Sequence, residues 1–338
     1  MNVLSHEFQE QFKNKQFINN SIPYMLKKSG IKGHNGLYNP LSSQACCINF
    51  FYPFIEEKQK ESLKQLLFAL GIEVDSVITI KPNSKFYDEN AYRQTNLFVT
   101  TETSEDDRII KYPDGGNVLF EWIGPYKSPT GENSGYLRGH HRTSIDAYIL
   151  AYIKGKVTQL LIEWKFTESY SSRQNTGKFL GAKGIERLAR YAPILARDRA
   201  LGKEILFKID DIDYWGLYDI CYEPFYQLLR QHMLGQETVG MCFGDYYIQD
   251  YKVIHLTHSA NKKLNVLTDK QAEYSKGFSD FVGNQIHEIW SDLLNTNFKE
   301  KFIGAYWDEA VLKFKPNNEL KSWYDYIVER YCKQTMKN

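Results

Sequence analysis

Thr143-Ser144-Ile145-Asp146-Ala147 and Leu160-Leu161-Ile162-Glu163-Trp164-Lys165-Phe166 decide how this chain is read. Between them, residues 149–153 and 157–165 are apolar runs of strand length, separated by Lys154-Gly155-Lys156. Two such runs about a glycine-containing turn predict a β-hairpin. Asp146 and Glu163 lie seventeen residues apart, a separation that suits neighbouring strands. Side chains two apart on a strand share a face, about 6–7 Å from each other. Glu163 and Lys165 therefore point the same way, and Trp164 faces the opposite layer. Charged groups at the end of an apolar strand are costly to bury unless something binds them. Two carboxylates and an ammonium can together hold a divalent cation and steady negative charge developing beside it. The plain alternative is a surface Glu–Lys pair with a solvated Asp, and D…E-x-K taken alone favours it.

Four flanking segments reverse that balance. They are Arg142-Thr143-Ser144-Ile145-Asp146-Ala147, Ile162-Glu163-Trp164-Lys165-Phe166-Thr167-Glu168, Ser42-Ser43-Gln44-Ala45 opening a helix, and Phe120-Glu121-Trp122 on an apolar strand. With one acid, a gap and E-x-K, they resemble the PD-(D/E)XK nuclease superfamily, in a bacterial restriction-endonuclease-like branch. The resemblance spans about residues 40–260, and Ile145 stands where that signature has proline. It implies an α/β fold: a restriction-endonuclease-like core with a mixed central β-sheet flanked by helices, and extra helices at the C-terminus. It implies a divalent-metal-dependent endonuclease that hydrolyses DNA phosphodiesters by in-line water attack, of restriction or genome-defence type. Asp146, Glu163 and the carbonyl of Trp164 would hold Mg²⁺, for which Mn²⁺ can substitute. Lys165 would orient or activate the attacking water. Glu121, an acid on an apolar strand, joins the catalytic set as a supporting or additional metal ligand, or else is an ion-paired or exposed edge residue. Gln44, in the first turn of its helix, would orient water or phosphate. A non-cleaving nucleic-acid-binding module on the same fold, or a nuclease acting on RNA or branched DNA, are the rivals.

Working outward, residues 124–139 form a Gly-, Pro- and Ser-rich stretch that ends in Arg138, His140, His141 and Arg142. Arg138 and Arg142 would suit the phosphates of a bound strand. A solvated basic loop has equal weight. Arg187 and Arg190 share a helical face within a second basic stretch. Tyr226, Gln227, Arg230 and Gln231 lie on a helix beginning near Glu223, where Arg230 could reach phosphate. Glu168, just past Lys165, would be a solvated loop acid, or else bind a cation or a backbone amide.

Ser42 caps a helix running to Phe51, ahead of Pro53. Leu63, Leu66, Leu67 and Leu70 repeat at helical spacing before Gly71. Residues 77–80, 97–101, 118–123 and 252–257 read as strands. Helices are expected around residues 185–195, with Pro193 as a break, and 225–233, 282–294 and 320–331. The domain reading is an N-terminal extension (1–40), a nuclease-like core (41–260) and a helical C-terminal region packed on it (261–338).

The 338 residues carry a net charge of +1, so no overall basic field announces nucleic acid. The chain has 42% hydrophobic and 25% charged residues, ordinary for a globular protein. Its five cysteines show no C-x-x-C spacing, which predicts reduced, mostly buried thiols and no structural zinc. No apolar run is long enough to span a membrane, and no signal peptide is legible. The expected compartment is the cytoplasm and the expected partner is DNA, with a possible homodimer, no membrane and no nucleotide cofactor. No phosphate-binding G-x-x-x-x-G-K-[ST] loop is present.

Overall fold

Alternating apolar residues on the central strands bury both faces of a sheet, and helices cover each face. The computed structural model describes residues 17–19, 22–28, 37–87, 110–112, 115–124, 143–169, 181–208, 220, 223–273 and 276–332. The expected strand at residues 97–101 and the basic strip Arg138–Arg142 lie outside them.

Helix α1 (Ile22–Lys28) precedes α2 (Ser43–Phe51) and α3 (Lys60–Ala69). The Ser42 hydroxyl accepts from the Ala45 N–H at 3.2 Å and fixes the start of α2. Ten strands follow in chain order: β1 (Ser76–Ile78), β2 (Ser84–Tyr87), β3 (Ile110–Tyr112), β4 (Leu119–Ile123), β5 (Ser144–Ile153), β6 (Lys156–Trp164), β7 (Cys242–Phe243), β8 (Tyr246–Tyr247), β9 (Asp250–Thr257) and β10 (Phe302–Tyr306). Helices α4 (Gly181–Ala200) and α5 (Phe225–Thr238) join β6 to β7. Helix α6 (Ile286–Leu293) precedes β10, and α7 (Trp307–Lys313) and α8 (Lys321–Ile327) follow it.

The main sheet runs β5-β6-β9-β10, with β1 and β4 both pairing with the outer edge of β5. Pairs on the β5 side are antiparallel, whereas β6–β9 and β9–β10 are parallel. The β5–β6 hairpin closes at Ile153↔Lys156. Lys154 and Gly155 take φ of 51° and 73°, both left-handed, as a twist-matched two-residue turn needs. A second, small sheet has the order β3-β2-β7-β8.

One core lies between the sheet and α1, α2, α3, α7 and α8, with Phe50, Leu66, Ile162, Trp164, Leu256, Trp307 and Trp323 inside it. The other lies against α4, α5, α6 and the small sheet, around Tyr148, Leu161, Tyr191, Phe225, Leu229, Val253 and Trp290. This mixed α/β architecture is consistent with a restriction-endonuclease-like core.

Three details depart from the sequence reading. Helix α4 runs through Pro193 without a break. Strand β10 adds a parallel edge to the main sheet, so the C-terminal region supplies a strand as well as helices. Strand β5 starts at Ser144, so the strand that carries Asp146 is longer than the apolar run at 149–153.

Candidate active site

The site begins with a tryptophan. Trp164 stacks on Trp307 (ring centroids 4.8 Å apart, planes 21° apart) and meets Phe50 at 4.8 Å. The Trp307 indole N–H donates to the Lys165 carbonyl at 3.0 Å. With Trp164 committed to one core, strand alternation sends Glu163 and Lys165 to the opposite face. Both are buried, and the Lys165 ammonium donates to Glu163 Oε1. Gln231 of α5 donates to Glu163 Oε2.

Strand register brings the remaining groups alongside. Ala147 pairs with Ile162, so one further step sets Asp146 beside Glu163. Phe120↔Ala147 and Trp122↔Ile145 bracket Glu121 beside Asp146. On the far side, Glu163 pairs with His255 and His255 with Gly304. A single row across the sheet thus reads Glu121, Asp146, Glu163, His255, Gly304. Asp146 Oδ2 accepts from the Trp164 N–H at 2.8 Å, and the Trp164 carbonyl accepts from the Ser43 hydroxyl at 3.4 Å.

Glu121 has a φ of 50°, in the left-handed region. For a non-glycine residue that costs on the order of 1–3 kcal/mol and persists only where the surroundings impose it. Leu119 and Trp122, three apart, consequently pack in the same core, which breaks the two-residue alternation. The Glu121 carboxylate is held by the Gln44 side-chain amide at 2.6 Å and the Ser144 hydroxyl at 2.7 Å. Gln44 is itself buried, so it serves this contact rather than the surface.

Burial pushes the Asp146 carboxyl well up; neighbouring Glu163 pushes it further, while Lys165 opposes. Burial also raises Glu163, against the pull of Lys165, with Glu223 adding to the rise and Arg230 opposing it. Four acids and two cations therefore share one field. Arg230 donates to the Thr143 hydroxyl at 3.1 Å, and its guanidinium lies 5.3 Å over the Tyr226 ring. Arg187 of α4 lies 5.2 Å from the same ring. Glu168 accepts from the Phe166 N–H at 2.8 Å.

Two residues here escaped the sequence reading. Glu223 stands just before α5, where an acid ahead of an apolar helix passes for a surface residue. His255 sits between Ile254 and Leu256, and no periodicity separates it from its buried neighbours. Arg138 and Arg142, expected to contact phosphate, lie outside the described residues, as do His140 and His141. Cys46, Cys47 and Cys242 are buried free thiols and Cys332 is a half-buried one. Burial raises Cys46 and Cys47 well above the usual range, which keeps them inert.

A family model described as "Restriction Endonuclease associating with ARP" matches residues 3–332, nearly the whole chain. The chain belongs to that family. Membership makes it a protein of restriction-endonuclease type, consistent with the mixed sheet and its flanking helices. No curated protein and no solved structure matches the chain. Among the described residues, no helix of this family member is long and apolar enough to cross a membrane.

Proposed function

We propose that the chain is a divalent-metal-dependent endodeoxyribonuclease of restriction type, with its site built on the PD-(D/E)XK pattern. One observation carries the reading. Asp146 lies beside Glu163 and Lys165 on adjoining strands, where burial raises both carboxyls and Glu163 raises Asp146 further. Packing stability alone gives no reason to set two carboxyls side by side there. A cation does, because it restores the anionic form of both carboxylates.

The donor set fits a hard cation. Among the described residues, no three His, Cys, Asp or Glu side chains are gathered closely enough to enclose a metal by themselves. A cation here rests on the Asp146 and Glu163 carboxylates, the Trp164 carbonyl and solvent, the few-carboxylate, water-rich coordination that Mg²⁺ favours and Mn²⁺ accepts. Bound there, Mg²⁺ supplies Lewis-acid polarisation of the phosphodiester and offsets the charge that develops on it. The protein's own groups do the rest. Lys165, held on the same face as Glu163, orients the attacking water and stabilises the crowded phosphoryl group. Arg230, fixed by Thr143 and the Tyr226 ring, offers its fork to a neighbouring phosphate. Gln44 holds the Glu121 carboxylate at the rim, where it positions water.

The family description names a partner, ARP, and we carry that association over as part of the proposal. The test uses purified chain and labelled duplex, single-stranded, junction and RNA substrates. The expected result is cleavage of duplex DNA with Mg²⁺ and none with EDTA, and loss of cleavage in Lys165→Ala with its thermal unfolding preserved. Cutting that persists in EDTA or in Lys165→Ala refutes the mechanism. Cleavage confined to RNA or junctions moves the substrate class.

A further inference from the structure

The face that carries Glu163 continues into a histidine pair that the proposed reaction does not use. His255 is fully buried and pairs in register with Glu163. Its Nδ1 lies 3.2 Å from Nε2 of His287 on α6. Gly304, next in the row, leaves room for this contact, since a methyl group at that position would strike the His287 ring. His255 Nε2 is buried with no hydrogen-bond partner among the described residues. A buried imidazole nitrogen without a partner is costly and asks for a function.

The pair admits two tautomers. Burial, His287 and Lys165 all hold His255 neutral, and burial holds His287 neutral, lowered to about 4. One proton must lie between the two rings. With it on His255 Nδ1, donated to His287 Nε2, the buried Nε2 of His255 becomes an acceptor on the sheet face that also carries Lys165.

A bound cation works against the present seat of the Lys165 ammonium. In the structure Lys165 is bound to Glu163 Oε1 and Gln231 to Oε2, so both oxygens of the carboxylate are engaged. A cation held by Glu163 repels the ammonium on Oε1 and favours its withdrawal to another acceptor. We propose that His255 Nε2 is the acceptor to which Lys165 transfers, so that His255, oriented by His287, positions the catalytic lysine. The proposal rests on the metal-dependent reading above. No bond is made or broken beyond hydrogen bonds, and no proton changes residue.

The test is a Mn²⁺ titration of the purified chain, followed by the paramagnetic resonance of free Mn²⁺. His255→Leu removes the acceptor, His255→Gln supplies another, and each is combined with Lys165→Met. We expect His255→Leu to weaken Mn²⁺ binding roughly 10–100-fold, the range found when groups that orient a metal site are lost. We expect His255→Gln to restore most of it. In the Lys165→Met background, where no ammonium needs a new partner, the same Leu substitution is expected to change affinity less than about twofold. A packing role would weaken binding equally in both backgrounds, and that result, or unchanged affinity in His255→Leu, overturns the proposal. Thermal unfolding without metal identifies a variant that fails to fold, and His255→Gln then carries the comparison. Absence of Mn²⁺ binding by the unaltered chain overturns the metal site itself, a different failure from loss of the lysine transfer.

Discussion

Replacing Asp146 with Asn should make the metal-free protein more stable. Asp146 and Glu163 are cross-strand neighbours, for which β-carbons stand about 5 Å apart. Two like charges at about 5 Å in an effective dielectric near 20 repel by about 3 kcal/mol. Lys165 offsets part of this through Glu163. Asn keeps an oxygen for the Trp164 N–H, so that hydrogen bond survives. The net gain expected for Asp146→Asn in EDTA at pH 8 is about 1–3 kcal/mol of unfolding free energy. The pH dependence has a definite sign. Both carboxyls are raised by burial, so the folded state holds their protons more tightly than the unfolded chain does. Their protonated forms favour folding below the ordinary carboxylate range, near pH 4, and that favour is lost as pH rises through the higher folded values. The advantage of Asn should be small near pH 4 and grow toward pH 8. Denaturant unfolding of both proteins across that range measures it. With Mg²⁺ at one thousand times its dissociation constant the order reverses, since ligand binding stabilises the unaltered chain by about 4.1 kcal/mol. No gain at pH 8, or a larger gain at pH 4, would refute the crowding on which the site depends.

Three other outcomes follow from the same geometry. Gly304→Ala drives a methyl group into the His287 ring, and denaturation should show a loss of about 1–3 kcal/mol, the usual cost of overpacking. Gln44→Leu removes a donor from the Glu121 carboxylate and should cost about 1–3 kcal/mol in the same assay, with Gln44→Glu worse still because it sets two acids together. Arg230→Ala should weaken duplex binding, measured with Ca²⁺ in place of Mg²⁺, and lower the slope of log affinity against log salt by about 1, as loss of one phosphate contact does.

How much of this the sequence disclosed varied with the range of the interaction. The β5–β6 hairpin was legible because both strands and the Lys154–Gly155 turn are local, and the strand period alone fixes the shared face of Glu163 and Lys165. The α2 cap was legible for the same reason: Ser42 and Ala45 are three residues apart. Strand β10 was not, because Phe302–Tyr306 is short and its pairing partner lies about fifty residues upstream in β9. Pro193 was misread as a break, whereas a proline within a long helix is tolerated when packing on either side holds the axis, here through Tyr191 and Ile194. The left-handed Glu121 left no mark in the letters, since its cause is tertiary: Gln44 and Ser144 grip its carboxylate. Glu223 and His255 join the site through contacts with α5 and β9, which are brought near only by the folded sheet.

The most direct measurement is the anomalous scattering of a crystal grown or soaked with Mn²⁺. The account predicts one strong peak between the carboxylates of Asp146 and Glu163, within bonding distance of the Trp164 carbonyl, with the Lys165 ammonium withdrawn from Glu163. A map without a peak at that point, with Lys165 still seated on Glu163 at saturating Mn²⁺, would contradict it.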